Sequence, residues 1–477
     1  MMKQSLIVII LCVLLAALPV MAQDVVPSVS PYDLGAATFV DADEQSVSYS
    51  LSGVLGVPVG AGPFPVALIL HGSYPACFDG DTPVSEAEAI YPCADGQVEA
   101  RYDIAWQSLA DALAARGYLT LIPNLNAAWS VTPHNADYAL EIAERHLAAL
   151  LAATQGQNVS FPEPLNGLAD WNQLAVIGHD TGAASAALMT WTRGTLGEEA
   201  DVDALVLVNA SAELATQNTA LPDIPTLVVL GECARESRDA GTDYAGQLHF
   251  EAARQSPVRE TPALSVLVDG ANRNYFMTGD ELLITDDYGA GFGDDTACLP
   301  ESEGRLTRDQ QPVLIQQLAA AFLDTVLLGQ PVEANIGLDP LQPAPTEIFG
   351  FSVRTALLAP SIQRLAIMQP QTGPSVIVNA LGGDVVTEGD VGIAVCLNDF
   401  ACNGGLAPSG QPAAAYISSR YESSLAFTLP EPRQDLRMFD GIHFRFAFDP
   451  LSRLNAMGEK LGFEVTVTDK AGNTAVY

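Results

Sequence analysis

Basic residues are scarce: 21 Lys and Arg stand against 57 Asp and Glu in 477 residues, a formal net charge of −36 at pH 7. Such a negative field repels other polyanions, which argues against nucleic acid and anionic membrane surfaces as partners. Charged residues of both signs reach only 16%, while hydrophobic residues make up 48%. That is too much apolar surface for a disordered acidic chain, so sizeable cores are expected. Cysteine is sparse as well, with seven in all. No Cys-x-x-Cys pair occurs and His does not cluster with the cysteines, so the spacing of a zinc site is missing. No Gly-x-Ser-x-Gly, internal repeat or low-complexity tract is found. No metal and no cofactor is expected.

What is present begins with a targeting pattern. Lys3 supplies a positive start, Leu6 to Leu18 an apolar run, and Val20-Met21-Ala22 a small-residue cleavage site, which together predict a signal peptide over 1–22. The run is short for a membrane span. The expectation is a secreted or extracytoplasmic protein with no integral membrane segment after cleavage. Cys12 leaves with the signal, and the six remaining cysteines suit an oxidising compartment. Pairing by neighbourhood gives Cys77–Cys93, Cys233–Cys298 and Cys396–Cys402, one of 15 connectivities.

Residues 23–330 alternate short apolar runs with helical patterns. The runs are Val66 to Leu70, Leu119 to Ile122, Leu174 to Ile177, Ala204 to Val208, Thr226 to Leu230 and Leu264 to Val268. None has polar alternation, which predicts strands buried on both faces of a mostly parallel, doubly wound sheet. Helices are predicted over Leu109 to Arg116, Ala136 to Ala153 with Asn135 as cap, and Arg308 to Leu328. Alternation from Thr38 to Leu55 predicts a hairpin feeding the sheet. Pro331, Pro340, Pro343 and Pro345 mark a linker over 331–346. Beyond it, residues 347–477 carry strand-like segments such as His443 to Phe448 and Phe463 to Thr468 between Gly/Asn/Asp turns. An all-β sandwich is the expectation there.

Chemistry concentrates after the run Leu174 to Ile177. Gly178-His179-Asp180-Thr181-Gly182 leads into an Ala-rich helix, the pattern of a nucleophile elbow, whose glycines permit a strained strand-to-helix turn. Upstream, Leu70-His71-Gly72-Ser73 matches the segment that gives a second backbone N–H to an oxyanion hole. Gly72, Ser73 and Thr181 are the candidate oxyanion residues, and Tyr74, which follows them, is a candidate pocket residue. Phe78, Trp106 and Trp129 have core packing as their default reading. The two motifs in this order predict an α/β-hydrolase fold.

Further residues carry a family likeness. His71-Gly72, the loop ending Tyr91-Pro92-Cys93, Leu113-Ala114-Ala115-Arg116-Gly117-Tyr118, Arg145-His146-Leu147 and Gly270-Ala271-Asn272-Arg273-Asn274-Tyr275-Phe276 resemble a group of secreted bacterial α/β-hydrolases. These are relatives of dienelactone-hydrolase and lipase-like esterases with a similar C-terminal β-sandwich. The resemblance implies a serine hydrolase of carboxylic esters, with Ser, acid and His in that order, acting on a small ester-like molecule or a polymer. The chain departs from that pattern at two positions: Asp180 stands where the pattern has Ser, and Arg273 where it has His. Glu236 best matches the acid, with Asp239 the second option.

A carboxylate nucleophile is used by families that resemble this arrangement, haloalkane dehalogenases and epoxide hydrolases, but they need a His to activate water. Arg cannot accept a proton near neutral pH. A guanidinium beside Asp180 is better suited to an ion pair. His249 is the least remote substitute base, while His71 and His179 are expected to flank the oxyanion region. The leading expectation is a degenerate triad. An active hydrolase using Asp180 and an extracellular binding module are the alternatives. The acidic stretch from Asp280 to Asp295 lacks EF-hand spacing and is expected to be a solvated loop.

Overall fold

One ten-stranded sheet organises the chain as far as Leu358. The computed structural model describes residues 26–85, 90–131, 136–191, 200–211, 221–234, 246–254, 256, 258–279, 283–287, 298–331, 334–369, 373–396, 414–444, 446, 455 and 462–477. The signal segment 1–22, Asn135, Glu236, Asp239 and Cys402 therefore lie outside the described residues. β1 (Ser28–Val40) and β2 (Ser46–Val57) form the antiparallel hairpin that the alternation predicts. β3 (Phe64–Leu70) enters the sheet centre. β4 (Cys77–Asp79), β5 (Thr82–Pro83) and β6 (Val98–Glu99) make a small separate sheet. β7 (Leu119–Pro123), β8 (Ala169–His179), β9 (Val202–Val208), β10 (Thr226–Gly231) and β11 (Ala263–Val268) follow. β12 (Glu347–Ile348) and β13 (Phe351–Leu358) complete the order β1-β2-β7-β3-β8-β9-β10-β11-β13-β12.

The inner strands lie where the unalternating apolar runs predict them, because both of their faces are covered. Val66, Leu68 and Leu70 of β3 join one buried cluster, whereas Ala67 and Ile69 join the other. Successive side chains of a strand point to opposite faces, so a continuous apolar run feeds two cores at once. Among the described residues there are seven α-helices: α1 (Tyr102–Ala105), α2 (Gln107–Ala115), α3 (Asn126–Val131), α4 (Ala136–Thr154), α5 (Thr181–Met189), α6 (Gly246–Arg254) and α7 (Gln310–Val326). α3, α4, α5 and α6 supply apolar residues to the first cluster, and α1, α2 and α7 to the second.

The expected α/β-hydrolase fold, with a mostly parallel doubly wound sheet and a β-sandwich, is corrected on two counts. First, the sheet is mixed. The pairs β7–β3, β3–β8, β8–β9, β9–β10 and β10–β11 are parallel. The pairs β1–β2, β2–β7, β11–β13 and β12–β13 are antiparallel. Tight hairpins make β1–β2 and β12–β13 antiparallel, and each hairpin joins the parallel centre through one further antiparallel pair, β2–β7 and β11–β13. The boundary at 347 that the sequence suggests places β12 and β13 in the C-terminal domain, yet they hydrogen-bond into the main sheet, where Val353 and Leu358 are buried.

Second, no sandwich forms among the described residues. β14 (Val385–Glu388) pairs β17 (Ser424–Phe427), β15 (Val391–Cys396) pairs β16 (Ala414–Ser419), and β18 (Thr466–Thr468) pairs β19 (Thr474–Val476), each as an isolated two-stranded ladder. The described part of His443 to Phe448 is not a strand. No residue of these ladders whose burial is described is buried, so no second sheet covers an inner face there.

The Cys77–Cys93 and Cys233–Cys298 disulfides are formed, with Cα atoms 5.5 and 5.3 Å apart. The Cys396–Cys402 pairing lies outside the described residues. Among those residues no helix is long and apolar enough to cross a membrane.

Candidate functional site

The chain turns sharply at the carboxyl end of β8. Asp180 has φ 54° and ψ −124° between the strand and α5, a conformation that residues with a Cβ seldom adopt and that surrounding contacts have to enforce. Those contacts are visible. A Cβ on Gly178 would lie 2.4 Å from the Ala183 Cα, and one on Gly182 would lie 2.5 Å from the Leu70 and His71 carbonyl oxygens. Both glycines are therefore required by close packing of α5 on β8 and β3. The Asp180 N–H donates to the Val208 carbonyl at 3.0 Å, and its own carbonyl accepts from Ala183 and Ser211. Asp180 is only 3% exposed.

Arg273 reaches this carboxylate from the loop after β11. Its Nη1 lies 3.5 Å from Asp180 Oδ1, with the two side chains 25% and 5% exposed. The loop is pinned from below. The Arg273 backbone N–H donates to the Asp287 carboxylate at 3.2 and 3.3 Å, and Nε donates to Asn274 Oδ1 at 3.4 Å. Burial pushes Asp287 up to about 6, an effect that the Arg273 cation opposes. Asn272 is fully buried and donates to Asp286, which Arg305 Nη2 also holds through both oxygens at 2.8 Å. Asp286 and Asp287 thus correct the expectation of a merely solvated acidic loop. Opposite charge on Arg273 and Arg305 draws both carboxylates inward.

The oxyanion segment faces Asp180 closely. A Cβ on Gly72 would lie 2.7 Å from the Asp180 Cβ and 2.8 Å from its Oδ2, so glycine is the residue that this approach admits. The next backbone N–H, that of Ser73, donates to Thr181 Oγ1 at 2.6 Å. Tyr74 stacks on Tyr102 with ring centroids 4.8 Å apart, and its hydroxyl lies 3.3 Å from both His179 Nδ1 and Asn274 Oδ1. Phe78, Trp106 and Trp129 are buried in the two core clusters.

The histidines near the site are occupied. His179 Nε2 is 2.9 Å from the Arg273 carbonyl. A carbonyl only accepts, so Nε2 carries the proton and Nδ1 is the acceptor facing Tyr74. Burial pushes His179 down to about 4. His71 Nε2 accepts from the Leu125 N–H, which leaves Nδ1 to donate to the Gly72 carbonyl. Burial lowers its basicity too. His249, the candidate substitute base, is buried on α6, which packs against β10 and β11, and is pushed down to about 4 by desolvation.

Of the sequence-predicted residues, the structure brings together Asp180, Arg273, Gly72, Ser73, Tyr74 and Thr181. Sequence reasoning missed His179 as the link between Tyr74 and the Arg273 loop, as well as Asp286 and Asp287 as its anchors. The arrangement offers a carboxylate with a guanidinium opposite it; the histidines described around them are made weak bases by burial, and Asp287, beside the Arg273 backbone, is a carboxyl raised towards neutral pH. Among the described residues no cluster of three or more His, Cys, Asp or Glu is arranged to hold a metal ion. Neither a protein-family model nor a curated protein matches the chain.

Proposed function

We propose that this is a secreted relative of carboxylic-ester hydrolases that has lost triad turnover and binds a small ester-like molecule or polymer segment without cleaving it. The observation that carries this reading is the Asp180–Arg273 ion pair at the strained elbow. Hydrolysis through a covalent intermediate needs a group that takes a proton from water near neutral pH, and a guanidinium cannot. The two disulfides support an oxidising compartment.

A second reading has one feature in its favour. The retained strain at Asp180 is the kind of backbone geometry that persists at functional positions, so a carboxylate nucleophile is the competing outcome of the same test. Purified full-length protein is assayed on p-nitrophenyl acetate beside Asp180→Ala and the double variant D180S/R273H. Background hydrolysis by the unaltered protein is expected. Turnover that disappears in Asp180→Ala would overturn the proposal in favour of the second reading.

A further inference from the structure

We infer that the Thr181 hydroxyl is an internal occupant of the anion hole, so that a ligand carrying a carbonyl or oxyanion oxygen must displace it to bind there. This rests on the reading that segments 70–74 and 178–182 derive from an oxyanion-stabilising pair. An oxyanion hole works by aiming unspent backbone N–H groups at a developing negative charge. Here the donor contributed by Ser73 is spent, because Thr181 Oγ1 accepts it at 2.6 Å. Thr181 is 1% exposed and Ser73 is half-buried, so the acceptor side of the bond is shielded from water. The bond also spans 108 positions of sequence, tying the end of β3 to the first residue of α5.

A second group works in the same direction. The Gly72 backbone presses on the Asp180 carboxylate, with Oδ2 2.8 Å from where a Gly72 Cβ would be. An incoming oxyanion therefore meets a carboxylate oxygen, paired with Arg273, beside the same donors. Thr181 closes the hole by hydrogen bonding, and Asp180 crowds it. Substituting the nucleophile and base positions alone leaves the first closure in place.

Two readouts test the closure. Amide hydrogen exchange at Ser73 is measured in the unaltered protein, in Thr181→Val, which keeps the shape and removes the acceptor, and in Thr181→Ser, which keeps the acceptor. Exchange is expected to rise on the order of tenfold in Thr181→Val and to stay unchanged in Thr181→Ser. Hydrolysis of p-nitrophenyl acetate is then compared between D180S/R273H and the same variant carrying T181V or T181S. Freeing one oxyanion donor is worth about 10²-fold, so T181V is expected to hydrolyse the ester at least about tenfold faster than T181S, which keeps the acceptor. Unmoved Ser73 exchange in Thr181→Val overturns the inference, as does hydrolysis by D180S/R273H that is measurable above the buffer rate and equal with and without T181V. Accelerated exchange with every hydrolysis assay silent supports the closure and counts instead against the ester-hydrolase ancestry.

Discussion

The main sheet and the C-terminal ladders use the same hydrogen bonds to opposite effect. In β3 every residue from Pro65 to Leu70 is buried, and in β10 every residue is. In β18 and β19 every residue is exposed. Large apolar side chains stand open in the C-terminal stretch, among them Tyr421 at 75% and Tyr477 at 80% exposure. A two-stranded ladder in water gains little net energy from its backbone bonds and is marginal without a layer to pack on. Strand pairing is thus shared by the two regions, while the burial that makes pairing stable belongs to only one.

The sharpest way to break this contrast is truncation of single side chains. Leu68→Ala in β3 is expected to cost about 2 to 5 kcal/mol of unfolding free energy, whereas Ile417→Ala in β16 should cost less than about 1. Equal losses in denaturant titration would show that the ladders hide a core of their own. Cross-links come next. Removing Cys233–Cys298, which closes 65 residues of sequence, should cost about 4 kcal/mol by the loop-entropy relation, somewhat more than removing Cys77–Cys93. The check is the midpoint of each Cys→Ser pair against the oxidised protein, and a larger loss for the shorter loop would contradict the expected ranking.

Acid sensitivity should also localise to the sheet region. Burial holds His146 at about 3 and both His179 and His249 at about 4, below the ordinary 6.5. The unfolded chain takes up these protons first. The stability they secure is complete above about pH 6.5 and is lost as pH falls towards about 4, by up to about 1.4 kcal/mol per pH unit for each residue. His249→Leu should flatten that slope by about one proton in the same titration. An unchanged slope would mean that the residue is not buried neutral.

Elements were legible from local pattern, and their neighbours were less so. Apolar runs such as Leu174 to Ile177 and Thr226 to Leu230 marked strands because burial on both faces leaves a one-dimensional trace. The Gly178 and Gly182 spacing marked the elbow because both positions admit no Cβ. Which strand closes the sheet edge left no such trace: β13 reads like any alternating strand, and only its contact with β11 decides its place. The same limit hid Asp286 and Asp287, whose role depends on two arginines meeting them in space. It hid the Ser73–Thr181 bond as well, since a threonine after the elbow residue has no sequence signature of what its hydroxyl accepts.

The late arrival of β13 also bears on how the chain survives its own synthesis. Until Phe351 to Leu358 emerges and pairs, the N–H and C=O groups along one side of β11 from Ala263 to Val268 stand open as a template for any passing strand. In the finished sheet that side of β11 is paired along its whole length, Ala263 to Val268 against Leu358 to Val353, and β12 covers the first two residues of β13 in turn. A chain halted at 330 would hold nearly all of the apolar core and still be a hazard to its neighbours, so the downstream segment acts as a guard against self-association.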